Sequence, residues 1–344
     1  MKQKIRIGLL FGGQSAEHEV SIRSAKNVYD ALDKSKYEPV LIGISKKGDW
    51  LTLPLTHFLQ IDSKTYALPE KISGDSLDVS SSVLQEQLDV VFPVLHGPMG
   101  EDGTVQGMLK LFNIPFVGAG VLGSAVGMDK DVMKRLLRDA GLPIAKFLVF
   151  HSSNKDTTSF KQVTKELGLS LFVKPANLGS SVGVSKVTLE KEFDRAISEA
   201  FKYDRKILIE EGVNAREIEC AVLGNQDLEA SVLGEIIPHH EFYDYDAKYI
   251  DEDGAVLEIP AKLSEKQTKE IQELAIKTCE VLCVKGMARV DFFVDKITGK
   301  VYVNEVNTIP GFTSISMYPQ LWQASGLSYP KLIDKLVSLA LENH

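Results

Sequence analysis

The stretch ARVDFFVDKITGKVYVNEVN, residues 288–307, is typical of two β-strands joined by a tight turn. Side chains alternate between the faces of a strand, so Arg289 shares a face with Asp291, and Glu305 shares a face with Asn307. A register that places Asp291 opposite Glu305 also places Arg289 opposite Asn307, whereas a slip of one residue separates the carboxylates. Two carboxylates and an amide suit Mg²⁺, with phosphate oxygens completing the coordination. The alternative is a solvated outer face with a cross-strand pair of arginine and acid.

A second motif is a lysine at the end of an apolar strand, followed by a loop of glycine and serine. Lys174 closes the strand predicted at Leu171–Pro175, and residues 179–183 read GSSVG. A charge there is unfavourable unless an anion meets it, and the loop offers N–H groups and hydroxyls that can fold over phosphates. The pattern is not a Walker A sequence. Lys130, at the start of a predicted helix, has the same chemistry, although most such lysines are simply solvated.

Acidic residues follow another apolar strand. Residues 207–213 read ILIEEGV, so Glu210 and Glu211 stand at the end of a strand beside a turn. Such a position can offer backbone groups to the edge of a base and carboxylates to ribose hydroxyls. Glu217, a little further along the chain, offers another carboxylate. The alternative for each of these acids is an ordinary surface position.

Two turns in the first third of the chain contain glycine. Residues 12–21 read GGQSAEHEVS, a turn that leads into a helix whose macrodipole favours the carboxylates of Glu17 and Glu19. These acids are either structural, or Glu17 binds the ammonium group of an amino-acid substrate. His96 follows a strand predicted to be parallel, at the carboxyl end where open α/β sheets place ligands, although a single histidine is more often structural.

The order of elements predicts an α/β protein in three units. Apolar runs at residues 5–11, 40–44 and 88–95 are separated by helical patterns, which favours a parallel sheet covered on both faces. Later strands and helices predict two further units. The predicted domains are residues 1–127, 128–215 and 216–344.

Local patterns predict two helices and one long loop. Asp129 caps a helix, and a capping box at Ser264 opens another that ends at Gly286. The apolar face of the first helix is predicted to carry Val132, Met133, Leu136, Leu137 and Ala140. Residues 239–261 lack any sustained period, and a loop this long inside a domain is usually functional. We expect this loop to act as a lid over bound nucleotide.

Composition excludes several functional classes. The 344 residues include 39 Lys and Arg against 47 Asp and Glu, a net charge of −8 with no long basic run, so neither nucleic acid nor an anionic membrane is an expected partner. No stretch approaches the roughly 18 apolar residues of a membrane-spanning helix, and Arg6 interrupts the run that could imitate a signal peptide. Cys279 and Cys283 are expected to be small core residues on one helix face. We predict a soluble, cytoplasmic protein.

Eight segments, in order along nearly the whole chain, resemble motifs of the D-alanine–D-alanine ligases of the ATP-grasp superfamily. They are residues 15–21, 96–103, 128–130, 172–175, 179–183, 247–249, 288–291 and 305–311. Any one of them is unspecific, whereas the ordered set is specific. The resemblance implies a three-domain ATP-grasp architecture, in which an N-terminal parallel α/β domain precedes two α+β domains that clamp ATP between antiparallel sheets.

The resemblance also implies roles for individual residues. Those implied for catalysis are Glu17, Ser180, Tyr249, Arg289 and Gly311. Those implied for ATP are Lys130, Lys174 and Lys248 at the phosphates, Glu210, Glu211 and Val213 at the adenine, and Glu217 at the ribose. Those implied for substrate are Glu17 at the ammonium of the first D-alanine, His96, and Ser316 and Met317 at the carboxylate of the second. Those implied for two Mg²⁺ ions, which Mn²⁺ could replace, are Asp291, Glu305 and Asn307. Glu211 stands where the family often has a basic residue.

The implied reaction has two steps. The carboxylate of the first D-alanine attacks the γ-phosphate of ATP, which gives D-alanyl phosphate and ADP. The amine of the second D-alanine then displaces phosphate through a tetrahedral intermediate, with Arg289 and the N–H of Gly311 stabilising the oxyanion. The product is a peptidoglycan precursor. The family also suggests a homodimer.

Three alternatives stay open at this point. One is a D-alanine–D-lactate ligase, although Tyr249 favours amide formation because phenylalanine often stands there in ester-forming relatives. Another ATP-grasp carboxylate–amine ligase would share the 288–307 hairpin but should lack residues 15–21 and 248–249. A non-catalytic nucleotide-binding regulator should have lost part of the metal set, which is complete here.

Overall fold

The computed structural model describes residues 4–61, 66, 68, 84, 87–153, 159–238 and 255–342. Three β-sheets organise this part of the chain, the first mostly parallel and the other two antiparallel. Among the described helices, none combines the length and the apolar character needed to cross a membrane.

The first sheet has the strand order β3-β2-β1-β4. Its strands are β1 (Ile5–Gly12), β2 (Tyr37–Ile44), β3 (Trp50–Thr52) and β4 (Val90–Val94). β1 pairs in parallel with β2 and β4, as the apolar runs predicted, and β3 adds an antiparallel edge. Its helices are α1 (His18–Ala31), α2 (Leu55–Leu59), α3 (Thr104–Leu111) and α4 (Val121–Met128). Every residue of β4 is buried, as expected for a parallel strand covered on both faces.

The chain then passes through α5 (Lys130–Asp139) into the second sheet, whose order is β5-β8-β6-β7. Its strands are β5 (Phe147–His151), β6 (Leu171–Pro175), β7 (Ser185–Val187) and β8 (Lys206–Glu211). Helices α6 (Phe160–Leu167) and α7 (Glu190–Ala200) form an apolar core with Leu171, Val173 and Ile209 of the sheet. Lys174 and Glu210 alternate with these core residues and therefore lie on the opposite face.

The third sheet has the order β11-β10-β9-β12-β13. Its strands are β9 (Ala215–Gly224), β10 (Glu229–Pro238), β11 (Ala255–Glu258), β12 (Gly286–Asp295) and β13 (Val301–Asn307). The remaining helices are α8 (Glu265–Val281), α9 (Met317–Ala324) and α10 (Tyr329–Glu342). Ser264 caps α8 as predicted, since its Oγ accepts the N–H of Gln267 at 3.3 Å.

Helix α8 ends at Val281 and not at Gly286 as predicted. Cys283 adopts a left-handed backbone conformation with φ of 55°, through which an α-helix cannot continue. Cys279 is buried in the core as expected, whereas Cys283 is exposed because it lies beyond the helix. The prediction of two core cysteines on one helix face is therefore wrong for Cys283.

Helix α5 begins where predicted but buries a different face. Asp129 caps it by accepting two N–H groups of the first turn. Met133 and Leu137 are buried as predicted. The apolar residues that are exposed against prediction are Val132, Leu136 and Ala140. Lys130 and Lys134 instead complete the buried stripe, because residues four apart in a helix lie on one face.

Helix α5 joins the second and third sheets. Met133 and Leu137 belong to the apolar core of the third sheet, whereas Lys134 reaches Glu210 on β8 of the second. Helices α9 and α10 likewise share a core with the first sheet. Each sheet lies within one predicted domain, to within one residue. The apolar cores, however, extend across the predicted boundaries, so the domain boundaries stay a prediction.

Candidate active site

The β12–β13 hairpin has the predicted register. Arg289 pairs with Asn307, and Asp291 pairs with Glu305. All four residues are partly exposed, whereas the residues between them on both strands are buried. The prediction of one shared polar face is confirmed.

A β-bulge brings Glu305 to this face. Phe292, which follows Asp291 on β12, pairs with Val303, so Asn304 is an extra residue on β13. Val303 is fully buried, and in a regular strand Glu305, two residues on, would point to the same buried side. The extra residue shifts the alternation by one position and turns Glu305 to the side of Asp291.

Arg289 binds two carboxylates on this face. Its Nε and Nη2 donate to the two oxygens of Asp291 at 2.8 and 2.7 Å, and its Nε lies 2.9 Å from Oε2 of Glu219. Glu219 lies on β9 directly opposite Asp291 and is buried. Ionic hydrogen bonds of this kind fix the guanidinium in one orientation. Glu219 was not predicted from the sequence, although its two-residue spacing from Glu217 repeats the Arg289–Asp291 pattern.

Asp291, Glu305 and Asn307 supply oxygen donors for a hard cation. Asn307 donates from Nδ2 to Asp291 at 2.9 Å, so its amide oxygen is the atom left for a cation. Within the described ranges, no three His, Cys, Asp or Glu side chains are grouped as a metal site. The set therefore fits Mg²⁺ on condition that phosphate or water oxygens provide the other ligands, which is how Mg²⁺ usually binds beside nucleotides.

Lys130 lies between the glycine–serine loop and the acidic hairpin. Its Nζ donates to the carbonyl oxygen of Leu178 at 2.5 Å and lies 3.9 Å from Oε2 of Glu305. The lysine side chain is 11% exposed, so its charge is poorly screened by water. An ammonium group in this place can meet a phosphate held over the loop.

Glu210 binds two lysines. Its Oε2 lies 2.8 Å from Nζ of Lys174, and its Oε1 lies 3.3 Å from Nζ of Lys134. Burial acts to raise the pKa of Glu210, but the two ammonium groups outweigh it and hold that pKa below its ordinary value. Burial lowers the pKa of Lys134, and Glu210 opposes the effect. Lys134 was not predicted from the sequence, although it lies one helical turn from Lys130 on the same helix face.

The carboxylate of Glu211 bonds the backbone of Lys146, the residue that precedes β5. Its Oε1 accepts the N–H of Lys146 at 2.8 Å, and the N–H of Glu211 donates to the carbonyl of Lys146 at 3.0 Å. The carboxylate is thus already occupied, and a contact of Glu211 with adenine stays a prediction. Val213 follows in the connection to β9, and Glu217 lies on β9 opposite Phe293, on the same face as Glu219 and Asp291.

The loops beside the first and second sheets meet at Glu17. Ser180 donates from Oγ to Oε1 of Glu17 at 2.5 Å, and Glu17 is buried. Ser180 and Ser181 have φ of 53° and 59°, a left-handed conformation that costs a non-glycine residue about 1–2 kcal/mol. Gly97, with φ of 78°, approaches so closely that a Cβ there would lie 3.0 Å from Oε2 of Glu17. Strained backbone around one carboxylate is typical of a functional site.

His96 holds a loop of the third unit. Its Nδ1 lies 3.0 Å from the carbonyl oxygen of Ile309 and therefore donates, and its Nε2 lies 3.4 Å from Oγ of Ser24, which accepts the N–H of Phe312. Burial lowers the pKa of His96, which disfavours the charged form of the ring. Nδ1 thus contacts the loop that carries Gly311 directly, and Nε2 contacts it through Ser24 of α1. A direct contact of His96 with substrate stays a prediction.

Glu101 connects the same loop with Gly97 through two hydrogen bonds. Its two oxygens accept the N–H of Gly97 at 2.7 Å and the N–H of Ile309 at 3.1 Å. Desolvation, followed by the nearby charge of Glu17, raises the pKa of Glu101 to about 8, and the two N–H donors oppose this shift. The sequence motif at residues 96–103 contained Glu101 without indicating this role.

Gly311 packs against Ser316. A Cβ on Gly311 would lie 2.7 Å from Oγ of Ser316, so a larger residue would displace that hydroxyl. The Oγ of Ser316 accepts the N–H of Thr313 at 2.9 Å and lies 2.7 Å from the hydroxyl of Thr313. Met317 begins α9 with its side chain in the core, so its N–H at the helix terminus is the group suited to a carboxylate.

Two predicted site residues, Lys248 and Tyr249, lie outside the described residues, and their roles stay predictions. Of the predicted lid at residues 239–261, the described part contains β11 (Ala255–Glu258) and the segment that follows it.

Two antiparallel sheets joined by α5 carry these side chains. The second sheet and α5 supply the lysines and Glu210, and the third sheet supplies acids from β9, β12 and β13. Lys130 of the first group lies 3.9 Å from Glu305 of the second. This fold and this site define an ATP-grasp ligase, a class of enzyme that uses ATP to join a carboxylate to an amine.

Two family models match the chain, and together they cover most of it. The models described as "D-ala D-ala ligase N-terminus" and "D-ala D-ala ligase C-terminus" match residues 6–119 and 136–338. The chain belongs to the D-alanine–D-alanine ligase family.

Relatives and solved structures agree with this assignment over the full length. The D-alanine–D-alanine ligase of Shouchella clausii is 52% identical over 353 residues, which span 99% of this chain and 96% of the relative. D-alanine–D-alanine ligase A of Escherichia coli K12 is 49% identical over 354 residues, 99% of this chain and 97% of the relative. The structure of the Coxiella burnetii D-alanine–D-alanine ligase superposes with a TM-score of 0.85 at 42% identity, covering 99% of this chain and 95% of that one. The structure of the VanG D-Ala:D-Ser ligase from Enterococcus faecalis also gives 0.85, at 37% identity and with 98% and 100% covered.

Proposed function

We propose that this protein joins two D-alanine molecules into D-alanyl-D-alanine while ATP is converted to ADP and phosphate. The contact between Glu17 and Ser180 carries the proposal, because it sets a carboxylate suited to a D-alanine ammonium against a loop suited to phosphates. Relatives that are 52% and 49% identical are named for this reaction. D-alanyl-D-alanine is a peptidoglycan precursor, so the protein serves cell-wall synthesis.

The first step transfers the γ-phosphate of ATP to the carboxylate of one D-alanine. Glu17 holds the ammonium of that D-alanine and so fixes the direction of its carboxylate. Lys130 and Lys174 supply positive charge to the phosphates. Such positioning and charge neutralisation are the main contribution of a protein to phosphoryl transfer, because negative charge is spread over the phosphate oxygens in the transition state.

Asp291, Glu305 and Asn307 would hold two Mg²⁺ ions, or Mn²⁺ in their place. Bound Mg²⁺ neutralises charge on the phosphate oxygens during the transfer. Arg289 holds the carboxylate of Asp291 through two hydrogen bonds, and Glu305 faces it across the hairpin. The arginine thus orders the acids before a cation is bound, which reduces the cost of assembling the site.

In the second step the amine of the other D-alanine attacks the acyl phosphate. A bond forms between the amine nitrogen and the carbonyl carbon, the amine loses a proton, and phosphate leaves. Arg289 and the N–H of Gly311 stabilise the oxyanion, a role that is typically worth about 3–4 kcal/mol for one donor. Glu101 acts indirectly, since it holds the loop that carries Gly311, and His96 holds the same loop in addition to its predicted contact with substrate.

The remaining predicted residues bind the ends of the substrates. Glu210 and the main chain near Glu211 and Val213 would meet the adenine, and Glu217 would meet the ribose. The hydroxyl of Ser316 and the N–H of Met317 would receive the carboxylate of the second D-alanine. We also propose that the protein is a homodimer in the cytoplasm. Light scattering of the purified chain tests its oligomeric state.

Phosphate release from ATP, measured with and without D-alanine in the presence of MgCl₂, tests the proposed function. We expect release that depends on D-alanine and matches the D-alanyl-D-alanine found by mass spectrometry mole for mole. ATP binding without such release would indicate a nucleotide-binding regulator. Competition with D-lactate and D-serine identifies the acceptor, and a preference for either one over D-alanine would contradict the proposal.

A further inference from the structure

Lys134 is a buried lysine that the reaction steps above do not use. Its side chain is fully buried, one helical turn beyond Lys130 on the same face of α5. Its Nζ lies 3.3 Å from Oε1 of Glu210, its ion-pair partner among the described residues. A buried ion pair is often no more stable than apolar side chains of the same size. Packing alone therefore does not account for a lysine at this position.

The cluster around Glu210 contains two positive charges and one negative charge. The carboxylate of Glu210 is shared by Lys134 and Lys174, and the exposed fractions of these three side chains are 4%, 0% and 10%. Of the two lysines, Lys174 is the more exposed, and it precedes the glycine–serine loop. Unbalanced positive charge in a poorly solvated cluster attracts an anion.

We infer that Lys134 is a positioning residue for the nucleotide: it neutralises the carboxylate of Glu210, so that the charge of Lys174 is left for a phosphate group. The inference rests on the proposed function, because it takes the anion to be the polyphosphate of ATP. Without Lys134, Glu210 and Lys174 form a neutral pair, and Lys174 attracts phosphate less strongly. Lys134 acts through Glu210 and does not itself contact the nucleotide.

A purely structural role makes a different prediction. If Lys134 only holds α5 against the second sheet, its loss lowers the stability of the fold and leaves nucleotide affinity unchanged. Nucleotide affinity, measured apart from turnover and apart from stability, therefore separates the two roles.

Titration calorimetry with ADP and MgCl₂ tests the inference without turnover. We expect Lys134→Met to weaken ADP binding at least tenfold and to raise the KM for ATP by a similar factor, with the KM for D-alanine within twofold of wild type. Arg135→Met is the matched control. Its guanidinium is on the same helix and pairs with Asp131, but it is 56% exposed, and we expect wild-type binding of ADP.

A double-mutant cycle with Glu210→Gln shows whether Lys134 acts through that carboxylate. In the Glu210→Gln background no charge is left to neutralise, so we expect Lys134→Met to change the Kd for ADP less than threefold. An equal tenfold effect in both backgrounds would overturn the inference, and so would wild-type ADP affinity in Lys134→Met alone.

Circular dichroism and thermal unfolding show whether each variant is folded. If Lys134→Met does not fold, Lys134→Gln, which keeps most of the length without the charge, takes its place in the cycle. Failure of both to fold would assign Lys134 to the fold and overturn the inference. A wild-type protein that binds ADP but makes no D-alanyl-D-alanine would refute the proposed function alone, because the binding ratios do not depend on turnover.

Discussion

The hydroxyl of Ser180 donates a 2.5 Å hydrogen bond to the carboxylate of Glu17, although 163 positions separate the two residues in the sequence. The bond connects the start of α1 with the loop that follows β6, so the first and second sheets meet at one buried carboxylate. In the proposed reaction, a D-alanine ammonium at Glu17 would lie next to the loop proposed to bind phosphates. Both substrates of the first step would then depend on this one contact.

Replacement of Glu17 by glutamine keeps the shape of the side chain and removes its charge. We expect Glu17→Gln to raise the KM for the first D-alanine at least tenfold, because a hydrogen bond to a charged group is worth about 1.5–3 kcal/mol. Steady-state kinetics with D-alanine varied measure the effect. Glu19→Gln is the control, since that carboxylate is in the same helical turn but pairs with Lys46 and is 37% exposed. Wild-type D-alanine kinetics in Glu17→Gln would contradict the assignment.

Glu305 tests the metal site. Glu305→Gln is isosteric and lies on a partly exposed polar face, so we expect the protein to remain folded. Loss of one anionic ligand should lower D-alanine-dependent phosphate release by a factor on the order of a hundred or more. The assay uses saturating MgCl₂, and Glu280→Gln, an exposed acid paired with Lys277, is the control. Near-normal release by the Glu305 variant would exclude Glu305 as a ligand.

The raised pKa of Glu101 predicts a pH dependence of folding stability. The carboxyl titrates at about 8 in the folded chain and near its ordinary value of 4.5 in the unfolded chain. Between these values the unfolded chain has lost a proton that the folded chain keeps, so this group makes folding less favourable as the pH rises. Glu101→Gln removes the titration. Urea unfolding of both proteins from about pH 5 to pH 8.5 measures their difference.

We expect the free energy of unfolding of the wild type, relative to Glu101→Gln, to fall across that range and to level off above pH 8. The same substitution should slow the second step, because one of the two hydrogen bonds to Gly97 and Ile309 is weakened. Parallel stability curves for the two proteins would show that Glu101 does not titrate as described.

Tyr249 tests the choice of acceptor, and this prediction rests on the sequence. A tyrosine hydroxyl that bridges Glu17 and Ser180 would fix the polarity around the incoming amine. Removing one hydroxyl from a buried network typically costs about 1–3 kcal/mol. Tyr249→Phe should therefore raise D-lactate use relative to D-alanine use, most visibly at lower pH, where the competing amine is protonated. Tyr203→Phe, at an exposed tyrosine, is the control.

Product partitioning with both acceptors present across a pH series measures this preference. A ratio of ester to amide that is unchanged at every pH in Tyr249→Phe would show that Tyr249 does not govern acceptor choice. D-serine is included as a third acceptor, because a related structure is named as a D-Ala:D-Ser ligase.

Local sequence determined the elements that position the site. The parallel pairing of β1 with β2 and β4 followed from apolar runs, and the caps at Asp129 and Ser264 followed from short polar side chains before helical patterns. The consequence that a register pairing Asp291 with Glu305 also pairs Arg289 with Asn307 followed from the two-residue period of strands. These features depend on neighbours in sequence, so a single chain is enough to predict them.

Contacts between distant segments decided the rest. From the sequence alone, Lys134 is indistinguishable from a surface lysine. Only the folded structure shows that Glu210 of the second sheet lies beside it. From the sequence alone, Glu219 is an ordinary acidic residue of a strand. The pairing of β9 with β12 places it beside Arg289. In each case the partner residue lies far away in the sequence, so the local spacing of residues does not predict the contact.

The position of Glu305 combines both kinds of information. The sequence alone determined that Asp291 and Glu305 belong to one hairpin and that a register exists which pairs them. Only the folded sheet decided that Asn304 is the bulged residue, with Val303 in the core on one side of it and Glu305 on the polar face on the other. The physical reason is that the core buries Val301, Val303 and Val306, which a regular alternation of side chains cannot do. The extra residue Asn304 makes this packing compatible with a carboxylate opposite Asp291.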